Sequence, residues 1–164
     1  MKTEAQIYAG TFEFVRSITK FYLSKLGNTD VNKSFEIEGK KLNNPYWIAA
    51  HLTWSEHLLI LTGIGAKPMD IPWLEKFSIG TEPSNSPELP EFAEILETMD
   101  KVHARAMEEL NSLTDKQLDE PNAHNFAFGG ANTKRNIINH AIRHEPMHVG
   151  QLSWYLKVND IKMP

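Results

Sequence analysis

A chain of 164 residues with 41% hydrophobic content has the size of one domain and enough apolar mass for a single sizeable core. Its 21 acidic residues against 17 Lys and Arg give a formal net charge of -4, which argues against holding nucleic acid or an anionic membrane by bulk charge. With no cysteine, disulfides, thiolate ligands and cysteine nucleophiles are excluded together, so a metal site has to be built from imidazole, carboxylate or water.

The N-terminal stretch MKTEAQIYAGTFEFV carries acids and lacks an apolar core followed by a small-residue cleavage site. No stretch of about 18 apolar residues occurs. A soluble, cytoplasmic protein is expected, one domain over residues 1–164.

In chain order, Ile7, Thr11, Phe14, Val15, Ile18, Tyr22 and Leu26 fall at helical spacing, and Gly27-Asn28 supplies a stop. Phe35-Glu36-Ile37-Glu38 is a short strand-like alternation. Asn44-Pro45 reads as an N-cap and first-turn proline, opening a second helix through Trp47, His51, Trp54, Leu58 and Leu61 to Gly63. A long irregular connection follows, punctuated by Gly65, Pro68, Pro72, Gly80, Pro83 and Pro87.

Phe92, Ile95, Leu96, Met99, Val102, Ala106 and Leu110 mark a third helix. After a polar stretch ending in Phe128-Gly129-Gly130, Asn132 or Thr133 caps a fourth helix running to about Lys157. The pattern predicts an all-α fold, a four-helix bundle with long connecting loops. Loops of that length carry function or cover a bundle end.

The last helix holds HEPMHVGQL, in which His144-Glu145-Pro146-Met147-His148 satisfies the H-E-x-x-H pattern of zinc peptidases. The two histidines lie about 40° apart on one face and about 6 Å along the axis, so they can chelate one ion. His51 sits on the apolar face of the second helix, where an unpartnered imidazole carries a desolvation cost. With His144 and His148 it makes a three-histidine set open at a fourth position, the arrangement of a catalytic zinc or nickel site. Spacing alone leaves His140 and His144 as an alternative pair. His57 is expected to face solvent, and His103 and His124 are unpaired in the pattern.

Pro146 removes a backbone hydrogen bond and crowds the Ile142 carbonyl, at a cost of about 3 kcal/mol. Two readings are open: a kink that swings the histidines toward a common point, or a bend that follows the bundle. The peptidase reading lacks its downstream ligand, because the third-ligand position of the extended motif is Trp154 and its glycine position Gln151. Glu145 is expected on the helix surface. Gln151 and Trp54, each one turn beyond a histidine, are candidates to orient a ligand and to wall the pocket.

NNPYWIAAHLTWSEHLLI and NHAIRHEPMHVGQLSWYLK together resemble the DinB-like, YfiT-related family of metal-binding four-helix bundles, over nearly the whole chain. The family pattern, a second-helix histidine and a terminal H-x-x-x-H-x-G-Q-[LI] segment, falls here on His51 and on His144, His148, Gly150, Gln151 and Leu152. The resemblance implies a divalent ion, zinc or nickel, on His51, His144 and His148, commonly in a homodimer. Some relatives are thiol-dependent S-transferases or isomerases using glutathione, mycothiol or bacillithiol. Pro146 departs from the smaller or polar residue more usual there. The expected function is therefore a metal-dependent enzyme acting on a small molecule with a low-molecular-weight thiol; the rival is a non-catalytic metal or ligand binder in a stress response.

Overall fold

The computed structural model describes residues 1–84 and 86–162. It is mostly helical. Helix α1 (Glu4–Ser24) opens on a capping box in which the Thr3 side chain accepts from the Gln6 N–H and the Gln6 side chain accepts from the Thr3 N–H. Its buried face is Ala5, Ala9, Phe12, Val15, Arg16, Thr19 and Leu23. The expected face was rotated from this: Ile7 and Phe14 are exposed, because the core accepts the polar Arg16 and Thr19 in their place.

A two-residue antiparallel hairpin follows, β1 (Glu36–Ile37) and β2 (Lys40–Lys41), with Glu36 opposite Lys41 and Ile37 opposite Lys40. Its turn residues Glu38 and Gly39 both have positive φ, 51° and 75°, the backbone that matches the twist of a tight hairpin.

Helix α2 (Pro45–Glu56) starts as its sequence dictates: the Asn44 side chain accepts from the Trp47 N–H and Pro45 occupies the first turn. All of its residues are buried, which explains why it is the most apolar helix. It continues as a π-helical segment, His57–Thr62, ending at Gly63. A Cβ on Gly63 would lie 2.2 Å from the Leu59 carbonyl oxygen and 2.7 Å from Ile137 Cδ1, so only glycine fits. A 3-10 turn, Leu74–Phe77, brings the connection back over α2.

Helix α3 (Phe92–Ser112) buries Ile95, Met99, Val102, His103, Ala106 and Leu110. A short α4 (Asp115–Leu118), capped by Thr114 and Gln117, lies in the stretch read from sequence only as polar. Helix α5 (Lys134–Val158) has Thr133 as its N-cap and runs without a break through Pro146, whose ring is exposed.

Helices α1 and α2 each pack against both α3 and α5. Two apolar clusters fill the interior, one around Trp47, Leu52, Met99 and Leu152, the other around Phe12, Ile60, Ala106 and Ile137. On each long helix a buried polar residue falls between the two clusters: Arg16, Glu56, His103 and Glu145. Among the described residues no helix is long and apolar enough to cross a membrane.

Candidate metal centre

The site grows from α2 and α5. Leu52, Trp47 and their neighbours bury α2 completely, which carries His51 into the interior at 3% exposure. Its ring is stacked between two tryptophans of the same helix, Trp47 at 4.4 Å and Trp54 at 5.3 Å between centroids. Trp54 therefore walls the site, and its indole N–H is held by Glu75.

His144 and His148, one turn apart on α5, face His51. Ring centroids are 5.4 Å apart for His51 and His144, 4.8 Å for His51 and His148, and 4.7 Å for His144 and His148. One nitrogen from each of the three lies within 4.8 Å of the others. The Nε2 atoms of His144 and His148 approach to 3.2 Å.

The outer nitrogens decide which tautomers are present. His51 Nδ1 is 2.8 Å from the Phe77 carbonyl oxygen, an acceptor only, so Nδ1 carries the proton and Nε2 the lone pair. His148 Nδ1 donates to Gln151 Oε1 at 3.2 Å, with the same result. Burial lowers the pKa of all three rings, His51 to about 4 and His144 to about 3, with the neighbouring imidazoles adding to the effect on His144. His51 and His148 thus aim Nε2 lone pairs at the point that His144 Nε2 also approaches, and three buried, neutral imidazoles are a donor set that fits a divalent zinc-like ion.

His140 does not join them. It stacks face to face on Phe128, centroids 3.6 Å apart and planes 4° apart, and its ring is 5.7 Å from that of His144. The Arg143 guanidinium contacts the Phe128 carbonyl, which ties the loop before α5 to the helix.

Glu145 corrects the sequence expectation most sharply. It is 2% exposed and points away from solvent into the bundle, accepting from the Thr19 hydroxyl and from Arg16 Nη2 at 3.1 Å. Burial pushes its carboxyl pKa up, against the pull of Arg16. A carboxylate committed in this way is not the free general base of an H-E-x-x-H peptidase.

Arg16 also reaches Glu56 at 2.6 Å, and Glu56 in turn holds His103 Nδ1 at 2.7 Å. His103, expected to be unpaired, thus belongs to a buried ionic network drawing on α1, α2, α3 and α5. His57, expected to face solvent, is 9% exposed and accepts the Met69 N–H. His124 meets the Thr62 hydroxyl at 2.8 Å. Helix periodicity could not find these partners, since each lies on another element.

A family model described as the DinB superfamily matches residues 11–152. The chain belongs to the DinB superfamily. Among solved structures, a conserved protein from Enterococcus faecalis is similar with a TM-score of 0.61 at 16% identity, covering 94% of this chain and 95% of that one. At that identity the likeness speaks for the fold alone. No curated protein matches the chain.

Proposed function

We propose that this DinB-superfamily chain, a single four-helix-bundle domain over residues 1–164, is a divalent-metal-dependent enzyme with His51, His144 and His148 as its metal ligands. Zinc or nickel suits three neutral imidazoles with one position left open. The reaction we favour is thiol-dependent S-transfer to a small electrophile, in the cytoplasm, where low-molecular-weight thiols are kept reduced.

The observation that carries the reading is the pair of outer hydrogen bonds, from His51 to Phe77 and from His148 to Gln151, which set both rings to present Nε2. A bound ion would supply Lewis acidity that brings the pKa of a thiol or water toward neutrality. The protein's own part is to hold the rings and exclude water: Trp47 and Trp54 stack on His51, and the Phe77 carbonyl holds its Nδ1–H. The commitment of Glu145 to Arg16 and Thr19 leaves that acid unable to take a proton at the site, which favours as second reading a non-catalytic metal or small-ligand binder in a stress response.

A homodimer fits one further observation. Ile7, Phe14 and Phe21 recur at seven-residue intervals on α1 and are 56%, 65% and 40% exposed, a seam suited to a second copy.

The test compares wild type with His51→Ala, His144→Ala and His148→Ala for bound metal, and for consumption of glutathione or bacillithiol with 1-chloro-2,4-dinitrobenzene. The enzyme reading expects wild type alone to bind metal and turn over. Unchanged metal content in the three variants would refute the ligand set; metal loading without turnover over a broad electrophile panel would favour the binder.

A further inference from the structure

Beside the histidine cluster, on the far side of Gln151, the β1–β2 hairpin stands off α5 and encloses a cavity of about 690 Å³. Its walls are apolar: Phe35, Ile37 and Leu42 from the hairpin segment, Trp154, Tyr155 and Val158 from α5. Trp154 at 68% and Ile37 at 58% exposure show that none of the described residues covers this part of the lining. The hairpin is held in place at its base, where Leu42 N–H donates to the Phe35 carbonyl at 2.8 Å and the Phe35 ring packs 5.3 Å from that of Tyr155.

The polar groups are few and placed at the edges. Gln151 lines the cavity while its Oε1 accepts from His148, so the amide nitrogen is the atom left to meet a ligand. Lys41 lines the cavity from the hairpin, and the Lys157 ammonium lies 5.5 Å from the centre of the Trp154 ring. Glu36, opposite Lys41 in the hairpin register, offsets one of these two cations. Glu36 and Lys41 thus offset each other within the lining, and the Lys157 ammonium adds a positive charge beside the aromatic wall.

We propose that this cavity binds a small amphipathic molecule, an apolar or aromatic body bearing one anionic or carbonyl group that is received by Gln151 and Lys41. The volume lies within the range of small-molecule pockets, which bury an apolar body and fix it with a few polar groups, whereas a protein partner calls for a broader and flatter surface. The link through Gln151 to His148 makes it the seat of the substrate body for the reaction proposed above; in that respect it rests on the metal-enzyme reading, but binding to it does not.

The test uses two fluorescent probes on the purified full chain: anionic 1-anilinonaphthalene-8-sulfonate and uncharged N-phenyl-1-naphthylamine. Wild type binds both, one per chain. Ile37→Glu and Trp154→Ala, both at exposed positions, weaken both by about tenfold or more through lost apolar contact. Lys41→Glu weakens the sulfonate about tenfold and leaves the neutral probe within about twofold. Bound metal is unchanged in all three.

No saturable binding to wild type, or equal affinity in wild type and Trp154→Ala, overturns the proposal. So does a Trp154→Ala variant that dissociates a wild-type dimer in sedimentation, since a second copy would then be the occupant. Probe binding that survives in His51→Ala while metal is lost supports a cavity independent of the ion; a wild type that binds probe but no metal would sink the enzyme reading and leave the cavity standing.

Discussion

Gln151 Oε1 receives the Nδ1–H of His148 at 3.2 Å, one turn along α5, and so sets the nitrogen that His148 turns toward His51 and His144. Removing such an orienting group commonly costs 10–100-fold in metal affinity. Gln151→Leu should therefore weaken zinc or nickel binding by about tenfold with the fold intact, because residue 151 is exposed. Gln151→Glu, which keeps the acceptor, should retain it. Competition against a chromophoric chelator reads both, and equal affinities for wild type and the leucine variant would contradict the assignment.

Arg16 sits 1% exposed between two carboxylates, Glu56 at 2.6 Å and Glu145 at 3.1 Å, with its Nε and Nη1 lacking partners among the described residues. Truncating the cation leaves buried Glu145 without a counter-charge and Glu56 with His103 alone. Arg16→Met should lower stability by about 3–5 kcal/mol in urea or thermal unfolding. Combining it with Glu56→Gln and Glu145→Gln should recover a large share of that loss, since replacing a whole buried ionic group is far less costly than breaking it. A triple variant no more stable than the single one would show that Arg16 acts through packing.

That network also marks what the sequence could and could not disclose. The four long helices and the Asn44 cap were legible from spacing within one helix, which left the last cap between Asn132 and Thr133 and the pair between His140–His144 and His144–His148; the structure has Thr133 as the cap and brings His51, His144 and His148 together. The buried face of α1 was not legible, since Arg16 and Thr19 are polar residues whose burial depends on Glu56 and Glu145 of other helices. The same holds for Phe77, whose value lies in a carbonyl that holds an imidazole rather than in its residue type, whereas Gln151 stood out by its place one turn beyond His148. The π-helical segment left no mark in the pattern either.

Two glycines illustrate opposite outcomes of one substitution. Gly63→Ala drives a methyl into the Leu59 carbonyl, which as backbone cannot retreat, and against Ile137 Cδ1, and should cost about 3 kcal/mol. Gly150→Ala on α5 meets nothing within 4 Å and should stabilise by up to about 1 kcal/mol through helix propensity. Paired unfolding curves decide this, and a tolerated Gly63→Ala would contradict the close approach.

His103 joins three helices through its imidazole, with Nδ1 on Glu56 of α2 and Nε2 3.2 Å from Glu13 of α1. Burial works against its charge and Arg16 repels it, but the Glu56 hydrogen bond and the charges of Glu56 and Glu13 outweigh both and raise its pKa above the ordinary histidine value. A group whose pKa is higher in the folded state adds stability that is fully present below the unfolded value, about 6.5, and is lost as pH rises through the folded value. The difference in unfolding free energy between wild type and His103→Gln should thus be larger at pH 6 than at pH 9, when both proteins are compared at equal ionic strength. Because Glu13 is largely exposed and Glu56 is buried, Glu56→Gln should abolish that pH dependence while Glu13→Gln only trims it. A destabilisation by His103→Gln that is the same at both pH values would mean that His103 is held as a neutral ring and that Glu56 answers to Arg16 alone.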